Sequence, residues 1–447
     1  MSDGGGDFGR RRFLQGMAGA GAGLAVGGGS LLGQTAGPDQ GSEPRRAPAV
    51  RTGQVAPDVA VVGAGAFGVW TALHLRRQGA RVTLVDQHGP ANSRATSGGE
   101  TRGVRTSYGD RPHGRQWGEW AAEAMERWKA WDEEHASDLL PPVYFTTGDV
   151  ILRDELTPFL ERTMENWDAM GHAYELLDAD EVRRRWPAIH TPDVSVALYE
   201  PAAGVVRARR AIESVAQVFL REGGELRIGR VRPPDSEGAP LEALSFEDGS
   251  TLSADTYVFA LGPWLPKYFP ELLGTRVRVR TLGHVYYVAT PPGDDRFQYP
   301  NLPSYNVPGV TGWPALPSDF RGFRIRTGGH RGDDPDTSVR WIDEEYHDRP
   351  REVLGRYFPD LADLPFNETR ACHYCGTVTR NFYIDRHGGM ENAWIAGGGS
   401  AEAFKQGPVL GEFIAGRVLG EIPDEDELAR SFRIPDEEFE ADEGGPD

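Results

Sequence analysis

Two groups of residues in this chain have types and spacings that could do chemistry. Gly63, Gly65 and Gly68 form G-x-G-x-x-G in "DVAVVGAGAFGVW", and the only two cysteines, Cys372 and Cys375, form C-x-x-C in "RACHYCGT". Glycines at that spacing let a backbone turn tightly, approach a pyrophosphate closely and pack a helix onto a strand. Cysteines at that spacing suit a redox disulfide, half of a metal site, or a thiol kept for some other covalent bond. Nothing in the neighbouring residues chooses among the three.

A glycine turn can hold a nucleotide only if a strand delivers it and a helix leaves it. The β-branched run at residues 59–62 predicts a buried parallel strand, and Val69, Ala72, Leu73 and Leu75 give the following helix its apolar positions. Residues 81–85 predict a second strand that ends at Asp86, 18 residues beyond Gly68, where a carboxylate can accept hydrogen bonds from ribose hydroxyls. The complete strand-turn-helix-strand unit with its terminal acid predicts FAD or NAD as cofactor.

At 447 residues the chain can hold two domains or one large interleaved unit. A formal net charge of -19 excludes nucleic acid as the expected partner, because tracking phosphates needs a cationic surplus. Near the N-terminus, Arg10 and Arg11 precede Phe13, Leu14 and a weakly hydrophobic Gly/Ala run, the layout of a twin-arginine export signal. That run is too short and glycine-rich to predict a stable membrane span. Residues 1–54 therefore read as signal and disordered linker, and the expected location is periplasmic or secreted. Residues 426–447 read as a solvated, largely disordered acidic tail.

Residues 92–110, "NSRATSGGETRGVRTSYGD", choose between the cofactors, because Thr101, Arg102, Arg105, Tyr108 and Gly109 spell T-R-x-x-R-x-x-Y-G. This segment resembles the glycine/D-amino-acid oxidase-type flavoproteins, most of all their monomeric sarcosine oxidase branch. The resemblance continues in order through "ELLDADEVRRRWPAI", "YEPAAGVVRARRAIESVA", "DTYVFALGPWLPKYFP", "RGFRIRTGGHRGDDPDT" and "NFYIDRHGGMENAWIAGGGSAEAFKQGPVLGEFIAG". It implies an α/β chain in which a Rossmann-type FAD-binding domain (residues 55–140, 199–272 and 370–425) is interleaved with a substrate domain. The latter, α+β and built on an antiparallel sheet, takes residues 141–198 and 273–369.

The resemblance also implies a site. FAD would lie against Gly63, Gly65, Ala66, Phe67 and Gly68, then Asp86 and Gln87, then Ser97 and Arg102, and be closed in by Gly397, Gly399, Phe404 and Lys405. Cys372, in C-x-Y with Tyr374, would be its covalent tether, leaving Cys375 as a neighbour or occasional disulfide partner. A metal is not expected, since zinc wants four ligands and no second pair exists. Gly397 to Ser400 would lead into a helix over residues 403–419 whose positive end favours the anionic reduced flavin.

Arg105 and Lys405 would hold the carboxylate of an amine or amino-acid substrate, Arg105 through its planar fork. With the α C–H aimed at the flavin, the expected reaction is hydride transfer, imine hydrolysis and reoxidation by O2 to H2O2. Arg324 stands where that branch carries an oxygen-activating lysine, or Arg326 does, since the two share a strand face. Other departures are Gly98, Thr311 and Glu402 where the branch has His, Tyr and His. With Tyr286, Tyr287, Tyr305 and Trp313 expected around the pocket, the substrate should be bulkier than sarcosine. A dehydrogenase feeding a quinone or carrier and a non-catalytic flavin-binding protein are the alternatives, and a monomer is the expected state.

Overall fold

The computed structural model describes residues 56–137, 141–235, 240–317, 319–329 and 334–440. The segments expected as export signal and linker, and the last seven residues, lie outside these. The described residues all belong to one compact unit.

Alternation and burial sort most of the strands into two large sheets, beside a three-stranded sheet that begins at Arg102 and a two-stranded one. Strands with nearly every residue buried, such as Asp58–Val62 and Thr256–Phe259, form a parallel sheet. Its order is Tyr383–His387, Met390–Gly397, Thr256–Phe259, Asp58–Val62, Arg81–Asp86, Glu225–Ile228, with only the first strand antiparallel. Helices Ala66–Arg77, Ala208–Arg221 and Gly407–Val418 cover it, and the last packs so closely on the first that a Cβ at position 411 would sit 2.4 Å from the Trp70 Cβ.

The second sheet has eight strands, in the order Phe366–Thr377, Val277–Val288, Phe323–Thr327, Val310–Trp313, Ser304–Val307, Asp149–Arg153, Val196–Glu200, Glu175–Leu177. All its pairings are antiparallel except Ser304–Val307 with Asp149–Arg153. The chain crosses between the sheets repeatedly, as the interleaved reading has it. The strand carrying both cysteines, residues 366–377, pairs wholly within this second sheet, so the crossing falls after Thr377 rather than at 370.

Two local expectations need correction. The closing helix starts at Gly407, not at 403: Ser400 and Ala401 take positive φ (45° and 66°), and turns occupy the residues up to Gln406 before Pro408 starts the helix. Residues 426–440 are docked, not a disordered tail. Asp426 caps a short helix at the Ala429 amide, and Phe432, 1% exposed, packs against Trp120, Phe382 and Phe413. Burying one such ring is worth about 2–3 kcal/mol, enough to hold a short polar segment in place.

Among the described residues, no helix is long and apolar enough to cross a membrane, and no cluster of His, Cys, Asp and Glu could hold a metal ion.

Candidate active site

The first part of the site is a cleft of about 1050 Å³, partly open to solvent, at the ends of the parallel strands. Gly63 has φ +108°, and a Cβ there would lie 2.4 Å from the Ala260 carbonyl oxygen. A Cβ on Gly68 would meet the Gly63 oxygen at 1.8 Å, so this glycine is required by helix packing rather than by the ligand. Around Gly65 only Ser97 Oγ comes as near as 3.4 Å, which leaves its backbone open to the cleft.

Side chains pin this turn. The Ala64 amide donates to Asp86 Oδ2 and the His88 amide to Oδ1, both at 2.8 Å, and the Ala66 amide donates to Ser97 Oγ at 2.9 Å. Burial raises the Asp86 pKa, against the pull of those amides. Ala66, Phe67, Gln87, Arg102, Gly399 and Phe404 line the same cleft. Gly262 and Trp264 line it as well, from the segment "ALGPW". Gly68, Gly397, Lys405 and Cys372 do not line it directly.

The cysteines part company. Tyr374 and Cys375 line the cleft, while Cys372 Sγ lies behind Arg102, accepting from its guanidinium at 3.3 Å. Both thiols are free and buried, and burial pushes Cys375 up to about 11. Three residues apart on a continuous strand, their Cα atoms are roughly 10 Å apart. A disulfide tolerates no more than about 7 Å, so the disulfide reading is dropped.

The second part is a charged pocket of about 950 Å³ that holds Arg105, Tyr108, Arg111, Arg153, Asn306 and Glu402. Arg105 donates to no acceptor among the described residues; Asp149, then Glu402, are the strongest opposite charges acting on it. Lys405, expected to share the substrate carboxylate, is instead paired with Glu402, three residues before it in the same turn. Glu402 also accepts from Tyr108 Oη and Arg111, each at 3.2 Å. Burial alone would raise the Glu402 pKa, but Lys405, Arg111 and Arg105 outweigh it and hold the carboxyl down at about 2.

Sequence reasoning missed Asp149. It stands directly opposite Glu200 across the Asp149–Arg153 and Val196–Glu200 strands, and both are buried. Glu200 is satisfied by the Thr106 hydroxyl at 2.7 Å and by His172 at 2.9 Å. Asp149 Oδ2 has no hydrogen-bond partner, and burial, offset in part by Arg105, lifts its pKa to about 6. The signal was an acid heading the apolar run "DVILR".

Arg324 and Arg326 both point inward from the Phe323–Thr327 strand. Arg324, 3% exposed, stacks 3.6 Å from the Trp313 ring centroid with Nε and one terminal nitrogen unpartnered, and burial lowers its pKa to about 9. An orphaned guanidinium beside Arg102 fits an anionic group in the cleft. Trp313 and Tyr287 meet at the Thr101 hydroxyl. Tyr286 and Tyr305, expected in the pocket, are fully buried in the core of the second sheet. Their hydroxyls donate to the Tyr346 and Arg324 carbonyls, so the pocket is more polar than the sequence suggested.

A glycine-cradled cleft with an acid at the end of its second strand, together with a cation-rich pocket beside a second sheet, defines a dinucleotide-cofactor enzyme with a built-in substrate domain. Residues 58–417 match the family described as DAO, FAD dependent oxidoreductase, and the chain belongs to it. The glycine cradle, Asp86 and the unpartnered Arg324 fit that cofactor. Monomeric sarcosine oxidase of Bacillus sp. (strain B-0618) is 27% identical over 372 residues, 81% of this chain and 92% of that protein. N-methyl-L-tryptophan oxidase of Salmonella arizonae is 27% identical over 389 residues, 82% and 95% of the two chains. The fold matches the crystal structure of iminodiacetate oxidase from Chelativorans sp. BNC1 with a TM-score of 0.67 at 23% identity, covering 83% of this chain and 98% of that one.

Proposed function

We propose that the protein oxidises the C–N bond of an amino acid or N-alkyl amino acid bulkier than sarcosine, and that O2 then takes the electrons and yields H2O2. The observation that carries this is Arg105, a guanidinium with no acceptor among the described residues, lining a pocket three residues along the chain from the cleft residue Arg102. A planar fork left free beside a redox cofactor suits a substrate carboxylate held bidentately. FAD, when bound, supplies the hydride acceptor. Arg105 fixes the carboxylate, and the Glu402, Lys405 and Arg111 group holds the pocket wall. The amine must be neutral at nitrogen to release hydride from carbon, and water then hydrolyses the imine.

The test is anaerobic bleaching of the flavin by sarcosine, proline, pipecolate and N-methylated aromatic amino acids, with peroxide measured in air. A clear preference for sarcosine rejects the bulkier substrate. One observation favours a second reading, a dehydrogenase passing electrons to a quinone or carrier. The cation at 324 is an arginine covered by Trp313, not a flexible lysine. Oxidised enzyme whose flavin is bleached by amine but that makes no peroxide in air supports it.

We also propose covalent flavin through Cys372, supported by its place against Arg102 and by the high pKa of Cys375, which makes the latter a poor nucleophile. Acid-precipitated wild type should stay yellow, Cys372→Ala should release its flavin, and Cys375→Ala should retain it. Export by the twin-arginine route rests on Arg10 and Arg11. Replacing both by Lys should keep the protein in the cytoplasmic fraction. Sedimentation should report a monomer.

A further inference from the structure

The cations around the substrate pocket are not equally committed. Arg111 bonds Glu402 at 3.2 Å, and Lys405 is paired with the same carboxylate. Arg153 donates to the Asn306 carbonyl at 3.1 Å, to Asn306 Oδ1 at 2.9 Å and to the Leu152 carbonyl at 2.8 Å. Arg324 lies over Trp313 with Nε and one terminal nitrogen unpartnered, and Arg102 is among the charges acting on it. Two further guanidiniums have few or no partners. Arg105 has no hydrogen bond among the described residues, and Arg326 has one, from Nε to the neutral Thr311 hydroxyl at 3.2 Å.

Arg326 is placed by its neighbours on both sides. Thr311 is its direct partner across the Val310–Trp313 strand, and this short side chain leaves the guanidinium room to pass. On the other side the stem runs over Gly283, where a Cβ would come within 3.1 Å of Arg326 Cγ and 3.2 Å of Cδ. The side chain thus passes between two small residues on the sheet face that carries Trp313, and a Cβ at Gly103 would lie 3.3 Å from the Trp313 ring and 3.7 Å from an Arg105 terminal nitrogen, which brings that face up to Arg105. There, Arg105 is the strongest charge acting on it, followed by Glu402 and Arg102. Its terminal nitrogens have no acceptor among the described residues.

Two neighbouring guanidiniums without a carboxylate bonded to either repel each other in a half-buried setting, and each has donors in need of an acceptor. One substrate carboxylate satisfies Arg105 and leaves Arg326 as it was. The residues that line the pocket with Arg105, Ser107, Thr157 and Asn306 beside Tyr108 and Phe159, suit a polar substrate better than an aromatic one.

We propose that the substrate is an N-substituted amino dicarboxylate, with the carboxylate next to the reacting carbon on Arg105 and the second, on the side chain or the N-substituent, on Arg326. This deepens the amine-oxidation reading and rests on it for the reaction, though not for the binding.

The test uses flavin-loaded enzyme and two thioethers in which sulfur replaces the oxidisable nitrogen, thiodiglycolate (two carboxylates) and methylthioacetate (one), titrated by calorimetry. Wild type should bind the dicarboxylate roughly 10- to 100-fold more tightly, the size expected of one added charge-assisted contact. Arg326→Gln should bring the two within roughly threefold by weakening only thiodiglycolate, and Arg326→Lys should restore a preference of roughly tenfold. Equal binding by wild type overturns the proposal without any variant. So does an Arg326→Gln enzyme that keeps the preference but reacts differently with O2, since Arg326 would then serve the flavin alone. If no amine bleaches the flavin, the oxidation reading fails, while the thioether titrations still decide this one.

Discussion

The two halves of the site hold their ligands by different means. In the cofactor cleft the contacts are backbone: Gly63, Gly65 and the amides of Ala64 and Ala66, pinned by Asp86 and Ser97 within a stretch of 35 residues. The substrate pocket is walled by charged side chains from segments far apart in the chain, Arg105, Arg153 and Glu402 among them. A backbone site fails sterically and all at once. A side-chain site fails by degrees, because charges can be removed one at a time while neighbours compensate.

The sharpest way to break that contrast is in the cleft. Gly68→Ala puts a methyl 1.8 Å from a backbone oxygen that cannot yield without moving the strand. It should cost about 3 kcal/mol or more and give colourless protein, read by flavin absorbance and thermal melting. Gly65→Ala should fold as apoprotein like wild type and lose only flavin affinity, because its new methyl points into the cleft. If the two behave alike, packing and ligand roles of these glycines are not separable.

In the pocket, Arg105→Gln should lower kcat/KM for a carboxylate-bearing amine by roughly 10²- to 10³-fold while leaving flavin content unchanged. An equal loss with an amine lacking a carboxylate would show that Arg105 acts on the fold or the flavin. Glu402→Gln should cost about 3 kcal/mol of stability, because it strips the carboxylate from buried Lys405 and from Arg111. The Glu402 pKa falls from 4.5 unfolded to about 2 folded, so its contribution is complete above pH 4.5 and lost as pH falls through about 2. Melting temperature should drop across that window in wild type and much less in the variant.

The same contrast governs what could be read from the sequence. The cleft was legible because its residues are local: a glycine spacing, a strand before, a helix after and an acid at a fixed distance. The pocket's cations were legible only as types in motifs. That Lys405 is spent on Glu402 depends on a turn from 400 to 406, of which the sequence reading had 403 onward as helix, with Ser400 and Ala401 in left-handed conformations rare outside glycine. That Arg105 faces Asp149 depends on strand register across dozens of residues, which no local spacing encodes. The docking of Phe432 was missed for a similar reason: one aromatic in an acidic run reads as solvated until its partners Trp120 and Phe413 are known.

The smallest effect is also the most particular to the pocket. Asp149 is buried with one oxygen unpartnered, and its pKa rises from 3.8 to about 6. Between those values the folded protein holds a proton that the unfolded chain has released, so this group makes stability fall as pH rises from about 4 to 6, opposite to Glu402. Ionised Asp149 also competes with the substrate carboxylate for Arg105. KM for a carboxylate substrate should therefore rise roughly three- to tenfold from pH 5 to pH 7 in wild type, with kcat little changed. Asp149→Asn should have the low KM throughout and lose this pH dependence. A pH-independent KM in wild type would mean that Asp149 stays protonated or that Arg105 turns away from it, and the pocket would then be as rigid in its charge as the cleft is in its backbone.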